Sequence, residues 1–300
     1  MWACLVLGVV RPPTRTPFTR RAVIGGAVCS QHLFVPTPSW AVPNPLCDQD
    51  VSVLTTSSKQ IVIVGTSHVS EESATLVRQV IQLVKPDTVM VELDKRRAVA
   101  LMRTAKARRN GEQMVAATAL AEQQSRGAAF YEKLETMGLL AGGEFVAAIE
   151  EARLLNATVL LGDRDINVTL QRLQEAKAEL QQLRADGILT REDAKAALSS
   201  LPSSLSKRSP ALTAEDVTQM ATDLRQRGNA REVAAYLKLA EPPVYAAMVG
   251  ERDRIMAHAL EAAPGSSVVG VVGLAHLDGI ERILGEEVTA RPSRSCHTRS

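Results

Sequence analysis

The hydrophobic pattern of the chain alternates between short apolar runs and longer stretches in which apolar residues recur at helical spacing. Short continuous apolar runs that are bounded by turn residues are typical of strands buried on both faces of a sheet. Four such runs begin near residues 60, 88, 157 and 268. They predict four buried strands, separated by segments long enough to hold helices.

The segment between the first two runs predicts how the strands connect. The first strand is expected at 60–64, and Ser70 is placed to cap a helix that follows it. The residues Lys85-Pro86-Asp87 end that helix before the second strand begins at Thr88. A βαβ unit of this length places its two strands parallel, joined by a right-handed crossover.

The remaining pattern is mainly helical. Residues 95–138 have a helical composition, a helix resumes at Glu144 after two glycines, and another begins at Pro242. Residues 168–240 contain no strand pattern and several amphipathic runs, which we interpret as a helical insertion covering one side of the sheet. The predicted fold class is therefore α/β, with a mainly parallel central sheet, flanking helices and a helical insertion at about 168–240.

The two ends of the chain differ from its body. Residues 1–47 contain arginines and no acidic residue, as transit peptides do, and paired arginines precede a short apolar run within them. We expect a disordered targeting segment over 1–47, an α/β domain over 48–290 and a basic tail over 291–300. The expected destination is the chloroplast, where a twin-arginine signal behind a transit sequence would direct a protein to the thylakoid lumen, and the mitochondrion is the alternative.

Composition excludes several kinds of chemistry for the central domain. Between the two basic ends, acidic residues outnumber basic ones, and no basic stripe indicates a nucleic-acid partner. No apolar run reaches the length of about 20 residues that spans a bilayer. The cysteines all lie close to the ends, which excludes thiol catalysis, cysteine-ligated zinc and a disulfide framework for the core. They are Cys4, Cys29, Cys47 and Cys296.

Each predicted strand is followed by ionisable side chains. In an open parallel sheet, ligands bind beyond the carboxyl ends of the strands, so these residues are expected to share one edge. In chain order, the strands lead into Gly65-Thr66-Ser67-His68, Glu92-Leu93-Asp94, Gly162-Asp163-Arg164-Asp165 and Gly273-Leu274-Ala275-His276. The first and last of these share a Gly-x-x-His motif.

The two motifs, taken with one carboxylate, have the composition of a metal site. A glycine at a strand end permits a sharp turn and a close approach, and the histidine three residues later is expected to project from a loop. His68, His276 and Glu92 could bind a divalent metal and leave a position for water, or one histidine could act as a general base that Glu92 orients.

Each candidate also has a structural interpretation. A single Gly-x-x-His motif is weak support for a site, whereas two at equivalent strand ends beside a carboxylate favour function. Arg96 and Arg97 could be solvated residues in the first turn of a helix, and Asp163 could stabilise a turn. The run 251–253, Glu-Arg-Asp, falls inside a helix and could be an exposed charge cluster.

A set of motifs in fixed order then carries a family resemblance. The stretches "GTSHVSEESATLVRQVIQLVKPDTVMVELDKRR", "GGEFVAAIEEA", "LGDRDINVTLQR", "ERDRIMAHAL" and "VVGVVGLAHLDGI" cover most of residues 60–285. Together they resemble the TraB family, which includes the TraB and PrgY pheromone-shutdown proteins. That family is distantly similar to the Tiki metalloproteases, which inactivate Wnt, and to erythromycin esterases.

The resemblance implies a site and a reaction. It implies an α/β fold with paired Gly-x-x-His motifs and metal-dependent hydrolysis of a peptide bond, with manganese or cobalt as the metal; zinc is compatible with the ligand set. The implied metal ligands are His68, Glu92 and His276, and Arg96 joins them as a catalytic residue. The implied binding residues are Gly65, Gly273, Asp163, Arg164, Glu251 and Arg252.

Three functions follow from these features. The first is a metal-dependent hydrolase acting on a peptide or protein. The second is a non-catalytic protein that uses the same pocket to bind a peptide, haem or a protein partner within an organelle. The third is an organelle scaffold that makes contacts through the helical region at 168–240. In each case we expect no nucleic-acid partner and no membrane span in the mature chain, and homo-oligomerisation is left open.

Overall fold

A computed structural model describes residues 44–56, 58–67, 71–110, 142–190 and 226–287, together with residues 192, 195, 198, 222 and 223. These residues belong to one compact unit, Pro43–Ser300. The predictions for His68, for the Ser70 cap, for the basic tail and for nearly all of the targeting segment lie outside the described residues.

The described part of the chain contains five strands and eight α-helices, together with a short 3-10 helix at Pro45–Cys47 and one π-helical turn. The strands are β1 (Val51–Thr55), β2 (Gln60–Thr66), β3 (Thr88–Val91), β4 (Thr158–Leu161) and β5 (Ser267–Gly273). The helices are α1 (Glu71–Val84), α2 (Lys95–Arg109), α3 (Gly143–Leu154), α4 (Ile166–Ala185), α5 (Arg227–Ala240), α6 (Pro242–Tyr245), α7 (Glu251–Ala262) and α8 (Leu274–Glu287). The fold class is α/β, as the sequence predicts.

The sheet has the strand order β1-β2-β5-β3-β4. The four strands that the sequence predicts are parallel, and β5 lies between β2 and β3. The sequence missed β1, which pairs antiparallel with β2 at one edge. The central position of β5 brings the end of the chain's last strand between the ends of the first two parallel strands.

Alternation along the strands divides the core into two layers. On β2, Val62 and Val64 face a cluster that includes helices α1 and α3. Ile61 and Ile63 face the opposite cluster, which includes α7 and α8. Because successive strand side chains point to opposite faces, these continuous apolar strands need helices on both sides. The result is a three-layer domain whose sheet edge carries the polar residues.

The last Gly-x-x-His motif differs in structure from its prediction. The sequence predicted a loop that carries His276. Instead, β5 passes directly into α8 at Leu274, so His276 lies in the first turn of that helix. Gly65 makes room for this helix, because a Cβ atom there would lie 2.7 Å from Leu274 Cδ2 and 2.9 Å from Leu277 Cδ2. Close packing, and not a turn, explains this glycine.

One π-helical turn separates α6 from α7. Residues Ala246–Gly250 form it, and the backbone N–H of Glu251 donates to the carbonyl of Ala246, five residues back. A π turn contains one residue more than an α turn and therefore changes the direction in which the following side chains point. The Glu-Arg-Asp run begins immediately after it.

No helix in the described part of the chain combines the length and the apolar character needed to cross a membrane. The longest, α4, runs Ile166–Ala185 and carries several charged side chains. Asp165 caps this helix, because its carboxylate accepts the backbone N–H of Asn167 at 2.8 Å.

Asp50, at the start of β1, is a carboxylate whose ionisation should oppose folding. Burial, followed by repulsion from Asp48, raises its pKa to about 6. The folded state therefore retains a proton that the unfolded state loses, so stability should decrease as pH rises from about 4 to about 6. Asp50→Asn should stabilise the protein at pH 7 by about 1 kcal/mol, a value reduced for solvent screening.

Urea unfolding at pH 4 and pH 7 measures this effect. At pH 4 the variant and the wild type should have similar stability, because Asp50 is protonated in the folded protein. Glu179→Gln is the control, since Glu179 is an exposed carboxylate on α4. An equal effect of Asp50→Asn at both pH values would contradict the proposed ionisation.

Candidate functional site

The described candidate site lies at the carboxyl ends of β3, β4 and β5. Glu92 follows β3, Asp163 follows β4, and His276 follows β5. All three side chains are buried, with exposed fractions of 6%, 1% and 5%, respectively. The parallel topology brings them together although they are far apart in the sequence, as the strand-end argument predicts.

Glu92 occupies the centre of this cluster. Its Oε2 atom accepts the backbone N–H of Gly273 at 2.6 Å. Its Oε1 atom lies 3.3 Å from Nε2 of His276. The last residue of β5 and the first turn of α8 thus hold the Glu92 carboxylate from two sides. Gly273 contributes to the site as a backbone hydrogen-bond donor.

His276 lies between two carboxylates. Its Nδ1 atom is 2.6 Å from Oδ1 of Asp253 on α7, and its Nε2 atom faces Glu92. Burial alone would lower the pKa of His276, but the charge of Glu92 and the hydrogen bond to Asp253 outweigh it and raise the pKa to about 9. Asp253 fixes the orientation of the ring, as carboxylates do for catalytic and metal-binding histidines.

Arg252 joins Glu92 to Asp163. Its Nη2 atom donates to Oε1 of Glu92 and, at 2.6 Å, to Oδ2 of Asp163. Its Nη1 atom donates to the carbonyl of Met248 at 3.0 Å. Burial would raise the pKa of Asp163, but the hydrogen bond and the charge of Arg252 lower it below its usual range. Arg252 therefore holds Asp163 in its ionised form.

A second arginine extends the cluster toward the surface. Arg97, in the first turn of α2, donates from Nε to Oδ2 of Asp94 at 2.6 Å and from Nη2 to Asp163. Asp94 also accepts the backbone N–H groups of Arg96 and Arg97, and so caps α2. The two ion pairs fix the Arg97 guanidinium in place. The side chain is still partly accessible to solvent, with an exposed fraction of 24%.

An outer ion-pair cluster surrounds Glu251. Arg164 donates from Nη1 to Glu251 at 2.5 Å and from Nη2 to the carbonyl of Ala247 at 2.6 Å. Arg172 of α4 donates to Oε1 of Glu251 at 2.7 Å. The hydrogen bond from Arg172 lowers the pKa of Glu251. This cluster joins α4 to the start of α7 beside the buried site.

Three consecutive residues on α7 thus serve three different groups. Glu251 pairs with Arg164, Arg252 pairs with Glu92, and Asp253 pairs with His276. Two carbonyls of the preceding π turn accept hydrogen bonds from Arg164 and Arg252. The backbone and the side chains of this segment are therefore held by the same charged network.

Most of the candidates from the sequence come together here. Glu92, His276, Asp163, Arg252 and Gly273 are in direct contact through the bonds described above. Arg164 and Glu251 belong to the outer cluster, and Gly65 packs under α8. Of the two neighbouring arginines, Arg97 enters the network, whereas the Arg96 side chain is exposed. Asp94, Arg97 and Asp253 complete the network, although the sequence does not select them.

The signals for these three additional residues are only partial. Asp94 follows a predicted strand and precedes a helix, which is the usual position of a capping residue. Asp253 lies beside two residues that were selected, but a helical pattern alone does not say which of three neighbouring side chains is buried. Arg97 cannot be distinguished from Arg96 without knowing the orientation of α2.

The charge balance of the buried cluster leaves an excess of negative charge. With a neutral imidazole, the carboxylates exceed the guanidinium groups by two, and a protonated His276 reduces the excess to one. The carboxylates are Glu92, Asp94, Asp163 and Asp253, and the guanidinium groups are Arg97 and Arg252.

His276 and Glu92 fit a divalent cation in donor type and in spacing. The separation of 3.3 Å between Nε2 and Oε1 matches two ligands that each lie about 2.1 Å from one ion. Within the described residues, no group of three His, Cys, Asp or Glu side chains could hold a metal. His68, the third ligand that the resemblance implies, lies outside the described residues.

Two comparisons place the chain among known proteins. The model of the "TraB/PrgY/gumN family" matches residues 51–287, which include all five strands. The chain is 29% identical over 237 residues to "Uncharacterized protein MJ1365" from Methanocaldococcus jannaschii. That match covers 75% of this chain and 53% of the archaeal protein, so the chain spans about half the length of this relative.

Proposed function

Because this chain belongs to the TraB/PrgY/gumN family, and because its buried acidic cluster sets an oriented histidine against a carboxylate, we propose that it is a metal-dependent hydrolase that acts on a peptide. The observation that carries the proposal is the chain of contacts from Asp253 through His276 to Glu92. A carboxylate behind the imidazole and another in front of it is an arrangement suited to metal binding and proton transfer.

His276, Glu92 and His68 would hold the ion. Manganese or cobalt agrees with the family resemblance, and zinc with the ligand types. A bound divalent cation would lower the pKa of a water molecule bound to it and would polarise the carbonyl group of a substrate. Its positive charge would also offset the excess of buried carboxylates.

The protein's own side chains have separable roles in this proposal. Asp253 accepts the proton on Nδ1 of His276 and so fixes Nε2 as the atom that faces Glu92. The raised pKa keeps Nε2 protonated without a metal, and binding of an ion there would release this proton. Arg252 contacts both Glu92 and Asp163 and so holds the two carboxylates in position. Arg97, with its guanidinium held by Asp94 and Asp163, is placed to donate to the carbonyl oxygen of a bound peptide.

Metal binding and peptide cleavage are measured separately to test the proposal. We expect the full-length protein to bind manganese in calorimetry and to cleave members of a peptide library, read by mass spectrometry, only in the absence of a chelator. His276→Gln should abolish both. Asp253→Asn should weaken metal affinity by about 10–100-fold, because it removes the carboxylate that orients the ring.

His258→Gln is the matched control, since that histidine lies on α7 with 82% of its side chain exposed. It should leave metal binding and cleavage unchanged. Circular dichroism and thermal melting identify variants that fail to fold. If the folded wild type binds metal and cleaves no library peptide, the hydrolase proposal fails, and the non-catalytic binding function becomes the better explanation.

A further inference from the structure

Strand β4 leaves one edge of the sheet open within the described part of the chain. It stands last in the strand order, and among the described strands it pairs with β3 alone. Protein sheets usually protect such an edge with a charged side chain, a proline, a bulge or a covering segment. The sequence of β4, Thr-Val-Leu-Leu, contains no charged residue and no proline. An edge of this kind is suited to pairing with a further strand.

The hydrogen bonds of β4 show which of its backbone groups point away from the sheet. Just after the strand, the N–H of Gly162 donates to the carbonyl of Val91 at 3.0 Å. Alternate residues of a parallel strand bond to the same neighbour, so the even-numbered residues here face β3. Val159 and Leu161 therefore direct both their N–H and their C=O groups outward. Within the described ranges, no hydrogen bond involves these outward groups.

The two edge strands of the sheet differ in exposure. In β1, three of the five residues are buried, whereas none of the four residues of β4 is fully buried. Val159 and Leu161 pack partly against the core cluster that includes α1 and α3. Leu160 packs partly against the cluster that includes α7 and α8. A strand added beside β4 would therefore extend both layers of the core.

Strand β4 also leads directly into the candidate site. Asp163 lies two residues beyond Leu161, which corresponds to about 7 Å of extended chain. Its carboxylate accepts hydrogen bonds from Arg97 and Arg252, and Arg252 also contacts Glu92. A peptide that lies along the outer edge of β4 can therefore enter the site with its next two or three residues.

Resting on the proposed function, we infer that the substrate peptide binds as an added strand on the outer edge of β4. Val159 and Leu161 each offer a donor and an acceptor, about 7 Å apart, and an extended peptide backbone complements this pattern. The side chains of the peptide would lie alternately over the two core layers, which favours β-branched and other apolar residues. The substrate class is thus a peptide with an extended apolar segment beside the bond that is cleaved.

Two synthetic peptides test the inference in the presence of a chelator, which prevents metal-dependent turnover. Both are labelled, ten residues long and built from alternating threonine and valine with a lysine at each end. The half-methylated peptide carries N-methyl groups on every second residue, so one of its edges keeps its N–H groups. The fully methylated peptide has lost the N–H groups of both edges. In fluorescence anisotropy, the full-length protein should bind the half-methylated peptide about 10-fold more tightly or better, because strand addition needs a free edge.

Amide hydrogen exchange locates the bound peptide on the protein. In the free protein, the N–H groups of Val159 and Leu161 should exchange rapidly in NMR spectra, because they have no acceptor in the described structure. A saturating concentration of the half-methylated peptide should slow both by about 10-fold or more. The exchange rate of Val53, at the centre of the other edge strand, should not change.

Val159→Pro should lower the affinity for the half-methylated peptide by about 10-fold or more, because it removes an outward N–H and places a ring on the edge. Proline is tolerated on edge strands where its nitrogen faces away from the sheet, so the fold should persist in circular dichroism. Val53→Pro is the matched control. The N–H of Val53 also points outward, because Asp50, three positions earlier, bonds to Gly65 in an alternating ladder. This control should keep the wild-type affinity.

Three results would overturn the inference. They are equal affinities for the two peptides, no binding of either, and an unchanged affinity in the folded Val159→Pro variant. If that variant fails to fold, the comparison of the two peptides with the wild-type protein decides. Sedimentation velocity tests the competing occupant: a dimer of the full-length protein that Val159→Pro separates into monomers would overturn the inference in favour of pairing between two copies.

The two proposals can fail independently. Binding of the half-methylated peptide at β4, without metal-dependent cleavage of any library peptide, would leave the strand assignment standing and refute the hydrolase. Metal-dependent cleavage with a kcat/KM that Val159→Pro does not change would have the opposite consequence.

Discussion

Replacing Arg252 by methionine should destabilise the protein more than any other single change considered. The side chain is 9% exposed and joins two buried carboxylates, Glu92 and Asp163. Methionine would fill much of the same space but would leave both carboxylates buried without their shared cation. Breaking a buried ion pair in this way costs about 3–5 kcal/mol.

Thermal unfolding followed by circular dichroism measures this loss. For a domain of this size, 1 kcal/mol corresponds to about 2–4 °C, so the midpoint should fall by about 10 °C. The loss should be smaller at low pH, because protonation of Glu92 and Asp163 removes the uncompensated charge in the variant. A fall that is independent of pH would indicate lost packing instead.

Arg254→Met is the control on the same helix, two positions away. Its side chain is exposed, and no hydrogen bond or ion pair involves it in the described part of the chain. The midpoint should change by less than about 2 °C, as is usual for exposed positions, where substitutions alter stability by about 0.5 kcal/mol or less. Comparable losses in the two variants would show that the buried network does not stabilise the fold.

Gly279→Ala should disturb the candidate site through a single added methyl group. A Cβ atom at this position of α8 would lie 2.0 Å from Oδ2 and 2.6 Å from Cγ of Asp253. Asp253 is buried and bonded to His276, so it has little freedom to move away. Overpacking of this kind destabilises a protein by about 1–3 kcal/mol, and we expect a value near the upper end.

The same substitution should impair function beyond its effect on stability. If Asp253 moves, it no longer orients the imidazole of His276, and metal affinity should fall by about 10–100-fold in the protein that remains folded. Urea unfolding measures the first effect, and manganese calorimetry at a temperature where the variant is folded measures the second.

Gly285→Ala provides a control in the same helix. No atom lies within 4 Å of a Cβ added there. Alanine has the higher helix propensity, so this variant should gain about 0.5–1 kcal/mol. Opposite signs for the two glycines would show that the loss at Gly279 arises from its contact with Asp253. A gain at both positions would contradict the proposed contact.

The parallel part of the fold could be predicted because burial on both faces leaves continuous apolar runs. The strands β2, β3 and β5 have this character, whereas β4 is an edge strand that is only partly buried but keeps a continuous apolar run. Strand β1 was missed because its hairpin connection to β2, residues 56–59, lacks the glycine or asparagine that usually indicates a tight turn. An edge strand of five residues with a half-exposed centre gives a weak pattern on its own.

The candidate site was predictable to the extent that strand ends define it. Glu92, Asp163 and His276 follow parallel strands, and parallel strands place their carboxyl ends at one edge whatever their order. Arg252 and Asp253 come from a helix, where successive side chains point about 100° apart. Their partners depend on the rotation of α7 about its axis, which no periodic pattern of the sequence specifies.

The π turn at Ala246–Gly250 sets that rotation. Its additional residue rotates the side chains of α7, which include Arg252 and Asp253, about the helix axis relative to those of α6, which packs on α4. The number of residues in this stretch therefore matters for the site as much as the identities of Arg252 and Asp253 do, because both determine which contacts form. During divergence, a residue could be gained or lost here only if the Glu-Arg-Asp triplet moved by a compensating step, so indels should be rarer at this position than substitutions.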